Sequence, residues 1–269
     1  MRLLLKIGFG LLLLSLVLIG LAFAVLRTQG VNNRNQTAGR ELASETRPVS
    51  DAITQVKLDG AIDMTLRQGA VPSLTVRGEE RLLGNIDTVR DGNSLQISVK
   101  GMLLHKRLPL QVVLVLPFVD TVRVRGSGDS TVNGFSGDQV DVQLDGSGSV
   151  KFNGRFKAVK AHMRGTGDME MNGGASERVE VALAGSGEMT VVGSCKELKA
   201  NLAGSGEMDA QHLAAEVALV ELSGSGSSVV QATRRIEATV HGSGKVSVTG
   251  NPTQRVVSRT GSGVVSFNE

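Results

Sequence analysis

The second half of the chain repeats one pattern of apolar and polar positions with a period of about 19 residues. Apolar residues stand two and four positions before a small glycine-containing triplet, and again two and four positions after it, whereas the positions between them are mostly polar. Alternation with a period of two is typical of a β-strand that buries one face. Each repeat therefore predicts two strands joined by a tight corner at the triplet.

The triplet itself is Gly-Ser-Gly or Gly-Thr-Gly, and it occurs eight times. Glycine permits backbone conformations with φ > 0 and a close approach of neighbouring chain segments, where any Cβ atom would clash. The predicted structural glycines are the first and third residues of the triplets: Gly126, Gly128, Gly146, Gly148, Gly165, Gly167, Gly185, Gly187, Gly204, Gly206, Gly224, Gly226, Gly242, Gly244, Gly261 and Gly263.

One repeat is too short to form a core of its own. About four interior side chains contribute roughly 1.5–3 kcal/mol each when they are fully buried, while ordering some 19 residues costs at least about 1 kcal/mol per residue. Stacking of the repeats about 4.8 Å apart removes this deficit, because each interior side chain then contacts both neighbouring repeats. The pattern predicts an all-β parallel solenoid of about eight coils of 18–20 residues, spanning residues 120–269.

Residues 51–119 lack the triplet but alternate well, and Leu110–Leu116, which is apolar at every position except Gln111, predicts a strand covered on both faces. We expect this N-terminal β segment to cap the solenoid, because the terminal units of a solenoid differ from the interior ones. No comparable cap follows the last triplet. The last coil is therefore expected to expose strand edges, and end-to-end homo-oligomers are predicted.

The N-terminal residues 1–27 contain an uncharged stretch, Ile7–Leu26. Twenty such residues in a helix span about 30 Å, the thickness of a bilayer's hydrocarbon core. This favours an uncleaved signal anchor, while Ala22-Phe23-Ala24 offers a cleavage site and leaves a signal peptide as the alternative. Residues 28–50 are polar and aperiodic, which predicts a flexible tether.

The overall composition limits the classes of function that the chain can have. Aromatic residues make up only 3% of the 269 residues, with no Trp or Tyr, so an aromatic stacking surface for sugars or bases is not expected. The net charge of +3 and the lack of a long basic run argue against a nucleic-acid partner. Cys195 is the only cysteine, so the chain has no internal disulfide, and we interpret this residue as incidental.

Four motifs in a fixed order resemble a known bacterial family. They are Leu58–Leu66, Val76–Glu80, Asp91–Ile97, and Leu116-Pro117 shortly before Val124–Gly128. In this arrangement the chain from Asp51 to Glu269 resembles the putative auto-transporter adhesin, head GIN domain family. The resemblance implies a right-handed parallel β-helix-like fold in an exported protein, and the family's name implies adhesion without supplying catalytic residues. The expected location is the bacterial inner membrane with a periplasmic domain, or a periplasmic or secreted protein if the signal is cleaved.

An acidic residue follows several triplets, and these carboxylates would stack on neighbouring coils. They are Asp129, Asp168, Glu188 and Glu207. Two carboxylates about 5 Å apart repel by about 1–3 kcal/mol, which a bound cation would relieve. The simpler interpretation, which we favour, is an exposed and solvated acidic stripe. We predict no metal site and no cofactor.

Other residues with chemical potential fit structural roles. The methionines at inward positions suit an irregular core better than a soft-metal site. They are Met163, Met169, Met171, Met189 and Met208. The central hydroxyls of the triplets are expected to bond along the corner rather than act as nucleophiles, because no periodic base stands beside them.

These observations predict a non-catalytic binding or adhesin-like scaffold domain of the cell envelope, which contacts an envelope protein or a glycan through its flat faces and the membrane through its N-terminal helix. A carboxylate-dependent β-helix enzyme acting on polysaccharides, with Asp168 and Glu188 as the reacting pair, is the alternative from another class. A purely structural envelope protein is the third reading.

Overall fold

The computed structural model describes residues 41–101 and 109–268, and these residues form an all-β solenoid of about seven turns. The sequence predicted about eight coils, but eight triplets enclose seven intervals. A turn is complete only when the chain reaches the next corner. The predicted anchor or signal at residues 1–27 lies outside the described residues. Among the residues that are described, no helix has the length and apolarity needed to cross a bilayer.

The N-terminal elements are short, and their bounds are β1 Leu42–Arg47, β2 Gln55–Asp59, β3 Ile62–Gln68, β4 Ser73–Glu79, the single helical turn α1 Glu80–Leu83, β5 Ile86–Asp91, β6 Ser94–Val99, β7 Leu110–Leu116 and β8 Thr121–Gly126. The following strands are mostly long, and they are β9 Asp129–Gly146, β10 Ser149–Gly165, β11 Asp168–Gly185, β12 Glu188–Gly204, β13 Glu207–Gly224, β14 Ser227–Gly242, β15 Lys245–Thr249, β16 Gln254–Gly261 and β17 Val264–Phe267.

Successive turns pair in parallel, and equivalent residues of the repeat stand opposite each other from β8 to β17. The apolar positions of the pattern point into one continuous core. The buried residues two positions before the triplets are Val124, Leu144, Met163, Leu183, Leu202, Leu222 and Val240. The interior predicted from period-two alternation is therefore confirmed.

The second corner of each turn is less regular than the triplet. Each of the strands β9 to β14 continues around this corner, and the pairing shifts register there. Between β9 and β10, for example, Asn153 pairs with Asn133, but the next residue, Gly154, pairs with Phe135. Bulges of this kind absorb the difference between repeats of unequal length, so the triplets stay in line.

The first turns are not stacked in the order of the chain. The pair β2–β3 lies between β6–β7 on one side and β8–β9 on the other. Beyond β6–β7, three strands pair in antiparallel fashion: β4 with β7, β5 with β6, and β1 with β4. Strand β1 falls within the segment 28–50 that the sequence assigned to a tether. Its mostly polar side chains do not alternate, and its pairing with β4 supplies the order that its own pattern does not show.

The apolar run of β7 is covered more fully on one face than on the other. Its inward residues are buried, whereas the outward Val113 and Val115 are half-buried. The expectation of a strand covered on both faces was therefore only partly met.

The last turn is open at its outer side. All eight residues of β16 are exposed, including Val257, which occupies an interior register position opposite Ala238. Arg259 occupies the next interior position, opposite Val240, and the Arg255 guanidinium lies 4.5 Å from the centroid of the Phe267 ring. Inward-pointing charges on an edge strand discourage the addition of further strands.

Candidate binding face

The triplet corners form a column of glycines along the solenoid. The carbonyl oxygen of the first glycine in one turn accepts one or two hydrogen bonds from the corner of the next turn: Gly146 O, for example, accepts from the amides of Thr166 and Gly167 at 3.0 and 3.2 Å. All eight first glycines have φ between 111° and 141°, and the third glycines are buried. Gly60 belongs to the same column with φ of 120°, although its turn lacks a full triplet.

The residue that follows each triplet points outward beside this column. Ser149 pairs with Asp129 and Asp168, Asp168 with Glu188, and Glu188 with Glu207. We call Asp129, Asp168, Glu188 and Glu207 the acidic column. All four residues are exposed. The glycine corner therefore brings three carboxylates from consecutive turns into direct register.

The acidic column has few neutralising contacts. Asp129 accepts a hydrogen bond of 2.7 Å from the Ser149 hydroxyl. Within residues 41–101 and 109–268, neither Asp168 nor Glu188 nor Glu207 forms an ion pair. Like charges directly opposite each other on neighbouring strands destabilise a sheet, so this column departs from what stability alone would favour.

Three other rows of charged residues on the solenoid alternate in sign from turn to turn. One charge ladder runs Asp138, Lys157, Glu177, Lys196, Glu216 and Arg234, in the register set by the strand pairs on either side of it. Its ion pairs include Lys157–Asp138 at 2.7 Å and Lys196–Glu177 at 3.4 Å. The hydrogen bond from Lys157 lowers the pKa of Asp138, and the same bond raises the pKa of Lys157. These contacts show that axial neighbours on this surface are close enough to interact.

Two further charge ladders follow the same rule. Asp141, Lys160, Glu180 and Lys199 form the second, and Asp59, Arg125, Asp145 and Arg164 form the third. Sequence reasoning missed all three ladders. Their signal was present as opposite charges spaced by one repeat, which becomes visible only when the turns are aligned on their triplets.

A surface groove of about 410 Å³ lies beside the acidic column. It is lined by Asp129, Asp168 and Glu188 together with Lys151 and Glu170, and these last two form an ion pair of 3.4 Å. Among the described residues, no three His, Cys, Asp or Glu side chains are arranged to hold a metal ion. The face therefore combines a surplus of negative charge with a groove that is open to solvent, an arrangement suited to contact with a cationic partner.

Asp168 and Glu188, the pair considered for a carboxylate-dependent enzyme, stand directly opposite each other on β11 and β12. The same like-charge pairing recurs one turn further on between Glu188 and Glu207. The carboxylates therefore form a repeating row on the surface, whereas a carboxylate-dependent enzyme would need one distinct reacting pair.

The remaining candidate residues lie in the core or along the corner. Met163, Met169, Met171, Met189 and Met208 are all buried. The central hydroxyls are exposed, and Ser186 Oγ lies 3.0 Å from Ser205 Oγ on the next turn. Cys195 is buried, and its burial raises the pKa of its thiol to about 11, with Glu197 and Glu216 acting in the same direction. A thiol in this state is a poor nucleophile.

Solved structures share this architecture. A structure described as a putative adhesin from Parabacteroides distasonis ATCC 8503 superposes with a TM-score of 0.78 at 22% identity, and the alignment covers 85% of this chain and 97% of that chain. A structure described as a putative lipid binding protein from the same organism gives a TM-score of 0.79 at 22% identity with the same coverage. A putative adhesin from Parabacteroides merdae ATCC 43184 gives 0.78 at 19% identity, again with 85% and 97% coverage. At these identities the likeness shows the fold alone.

A comparison with curated proteins found no match. The family described as putative auto-transporter adhesin, head GIN domain, matches residues 52–252, which include the first pair of core strands and all but the end of the solenoid. This chain therefore belongs to the putative auto-transporter adhesin, head GIN domain family.

Proposed function

We propose that this protein is a non-catalytic binding module of the bacterial envelope that engages a cationic macromolecular surface through its acidic column. The family's description as a putative adhesin supports an envelope location and a binding role. We further propose that the apolar N-terminal segment holds the protein at the inner membrane and that the solenoid stands on the periplasmic side.

One observation carries the choice of face. Three charge ladders neutralise neighbouring turns, whereas the acidic column keeps Asp168, Glu188 and Glu207 in direct register without an ion pair among the described residues. Like-charge stacking costs free energy in the isolated protein. A partner with positive charges at a similar spacing would recover that cost on binding, and complementary potentials favour fast and specific association.

The shape of the molecule supports binding over catalysis. Solenoids present long, repetitive faces to extended partners, while enzymes usually enclose their substrates in a concave pocket. The groove beside the acidic column runs across several turns, and most of the side chains that line it are polar. An elongated partner can therefore contact the same chemical group on successive turns.

The test compares two variants that lose the same charge. The column variant carries Asp168→Asn, Glu188→Gln and Glu207→Gln. The control variant carries Glu177→Gln, Glu180→Gln and Glu197→Gln, which removes three carboxylates from ion pairs elsewhere on the surface; those pairs are Lys196–Glu177, Lys199–Glu180 and Arg178–Glu197. Binding of each full-length protein to immobilised poly-L-lysine is measured by biosensor at increasing salt concentration.

We expect the column variant to bind about tenfold more weakly than the unmodified protein at low salt, and the control variant to bind within about twofold of it. The difference should vanish at high salt, because exposed charges are then screened. Equal weakening of both variants would mean that binding depends only on net charge, and this result would refute the acidic column as the binding face.

A further inference from the structure

Large exposed apolar side chains are confined to the two ends of the solenoid. Among the described residues they are Leu42, Val71, Val89, Phe118, Val256, Val257 and Val264. The turns between Asp129 and Val248 contain none. The two ends therefore differ chemically from the middle, and each requires its own explanation.

The most concentrated apolar site is a pair of adjacent loops near the N-terminal end. The loop 69–72 joins β3 to β4, and Pro117-Phe118 follows β7. We call residues 69–72 and 117–118 the apolar knuckle. Its sequence, Gly-Ala-Val-Pro and Pro-Phe, contains no side chain that carries a charge or forms a hydrogen bond. Val71 is 78% exposed and Phe118 is 62% exposed.

The two loops are fixed to each other by the strands that they leave. Gln68, the last residue of β3, pairs with Leu116, the last residue of β7. The Gly69 amide donates a hydrogen bond to Leu116 O at 3.0 Å, and Gln68 Nε2 donates one to Pro117 O at 3.0 Å. A Cβ atom on Gly69 would clash with the Val115 side chain. These contacts hold the two loops together as one apolar projection, so they are not independent loop tips.

The knuckle lies near Arg47, the last residue of β1, which pairs with Leu74, whereas the chain enters this pair of strands at Leu42, opposite Glu79 at the far end of β4. Strand β4 begins at Ser73, directly after the knuckle, and pairs with β1, the first described strand. The apolar run Ile7–Leu26 ends shortly before β1. The connecting residues 27–41 can span at most about 50 Å when extended, and β1 itself is about 20 Å long. A bilayer that holds the run is thus within reach of the knuckle.

We propose that the apolar knuckle contacts the surface of the same bilayer, with Val71 and Phe118 entering the interface. This inference rests on the membrane anchoring proposed above. An amphipathic or apolar projection that is already tethered meets the membrane at a high effective concentration, so a contact too weak to recruit the protein by itself can still orient it. Contact at this end would direct the acidic column along the solenoid, away from the lipid.

The chain contains no Trp and no Tyr, so a single introduced Trp reports on one position. The test uses the full-length protein in vesicles of phosphatidylethanolamine and phosphatidylglycerol, with and without a doxyl-labelled lipid that quenches Trp fluorescence. Phe118→Trp probes the knuckle. Val264→Trp is the matched control, because Val264 is also an apolar residue of similar exposure, 50%, but lies at the other end of the solenoid.

We expect the fluorescence of Phe118→Trp to be quenched at least twofold by the doxyl lipid and to shift to shorter wavelength, with little change for Val264→Trp. Adding Val71→Glu to Phe118→Trp should reduce the quenching. Equal quenching at the two positions would overturn the proposal. A blue shift without quenching would also overturn it, since a second copy of the chain or another protein would then cover the knuckle.

Flotation of the same vesicles separates this inference from the anchoring on which it rests. Protein that does not float with the vesicles would refute the anchoring and the knuckle contact together. Protein that floats but leaves Phe118→Trp unquenched would refute the knuckle contact alone.

Discussion

The first glycine of each triplet contributes to stacking through its backbone. In the seven triplets that are followed by another triplet, its carbonyl oxygen receives one or two amide hydrogen bonds from the next corner, and the next first glycine lies directly over that oxygen. At Gly185, φ is 138°, and an added Cβ atom would fall well inside van der Waals contact with Gly165 O. Both the backbone conformation and the spacing between turns therefore require the absence of a side chain.

Gly185→Ala is accordingly expected to lower the free energy of unfolding by at least about 2 kcal/mol, from backbone strain and overpacking together. Gly84→Ala is the control, because Gly84 has φ of −65° and nothing within 4 Å of the position where a Cβ atom would lie. That change should be neutral or stabilise slightly. Urea unfolding followed by circular dichroism compares the two, and equal stability of the variants would refute the role assigned to the glycine column.

At the scale of strands, the sequence revealed which residues face inward but not what covers them. Val181 and Val257 both stand four positions before a triplet, and period-two alternation assigns both to the interior. Val181 is fully buried, whereas Val257 is 41% exposed. The reason is that the next turn of the solenoid stacks on the strand of Val181, while no further described strand stacks on the strand of Val257. Burial in a solenoid depends on the neighbouring turn, which the local pattern does not contain.

Long-range order was likewise beyond the local pattern. Alternation identified the strands of residues 51–119, but their placement depends on which distant strands pair. Nothing in the β2 sequence indicates that it lies between β6 and β8. The acidic column was different, because equal spacing from a fixed corner is enough to align Asp168 with Glu188. Features tied to the repeat could be read from the sequence, and features tied to chain topology could not.

The contrast between the two valines gives a direct prediction. Val181→Ala should lower the free energy of unfolding by about 2 kcal/mol, since it removes two buried methyl groups and leaves a cavity. Val257→Ala removes the same atoms from a partly solvated site and should cost less than about 0.5 kcal/mol. Thermal or urea unfolding of both variants measures the difference, and a comparable loss at Val257 would mean that the last turn is covered in solution.

Over the whole molecule, the triplet repeats every turn, but the charge ladders repeat every two turns. Lys157 and Lys196 are equivalent, with Glu177 between them, and the second ladder follows the same order. Because every triplet is equivalent, removal of a single turn should leave the core residues in register. On the surface, removal of one turn brings residues of like charge next to each other wherever a charge ladder crosses the deleted turn. Stability in such an array is approximately a sum of terms within turns and between nearest neighbours.

Deletion of the single turn Gly165–Ala184 tests this division. The shortened chain should still fold as a solenoid, but Lys157 would then stand next to Lys196, and Lys160 next to Lys199. Like charges opposite each other on neighbouring strands destabilise a sheet, and salt screens them over about 10 Å at 0.1 M and about 3 Å at 1 M. The melting temperature of the deletion variant should therefore rise with salt.

The same deletion carrying Lys196→Gln and Lys199→Gln has the same acidic column but lacks both like-charge contacts, so its melting temperature should rise much less with salt. An equal salt response of the two deletion variants would show that the alternating charges do not determine which turns can stack next to each other.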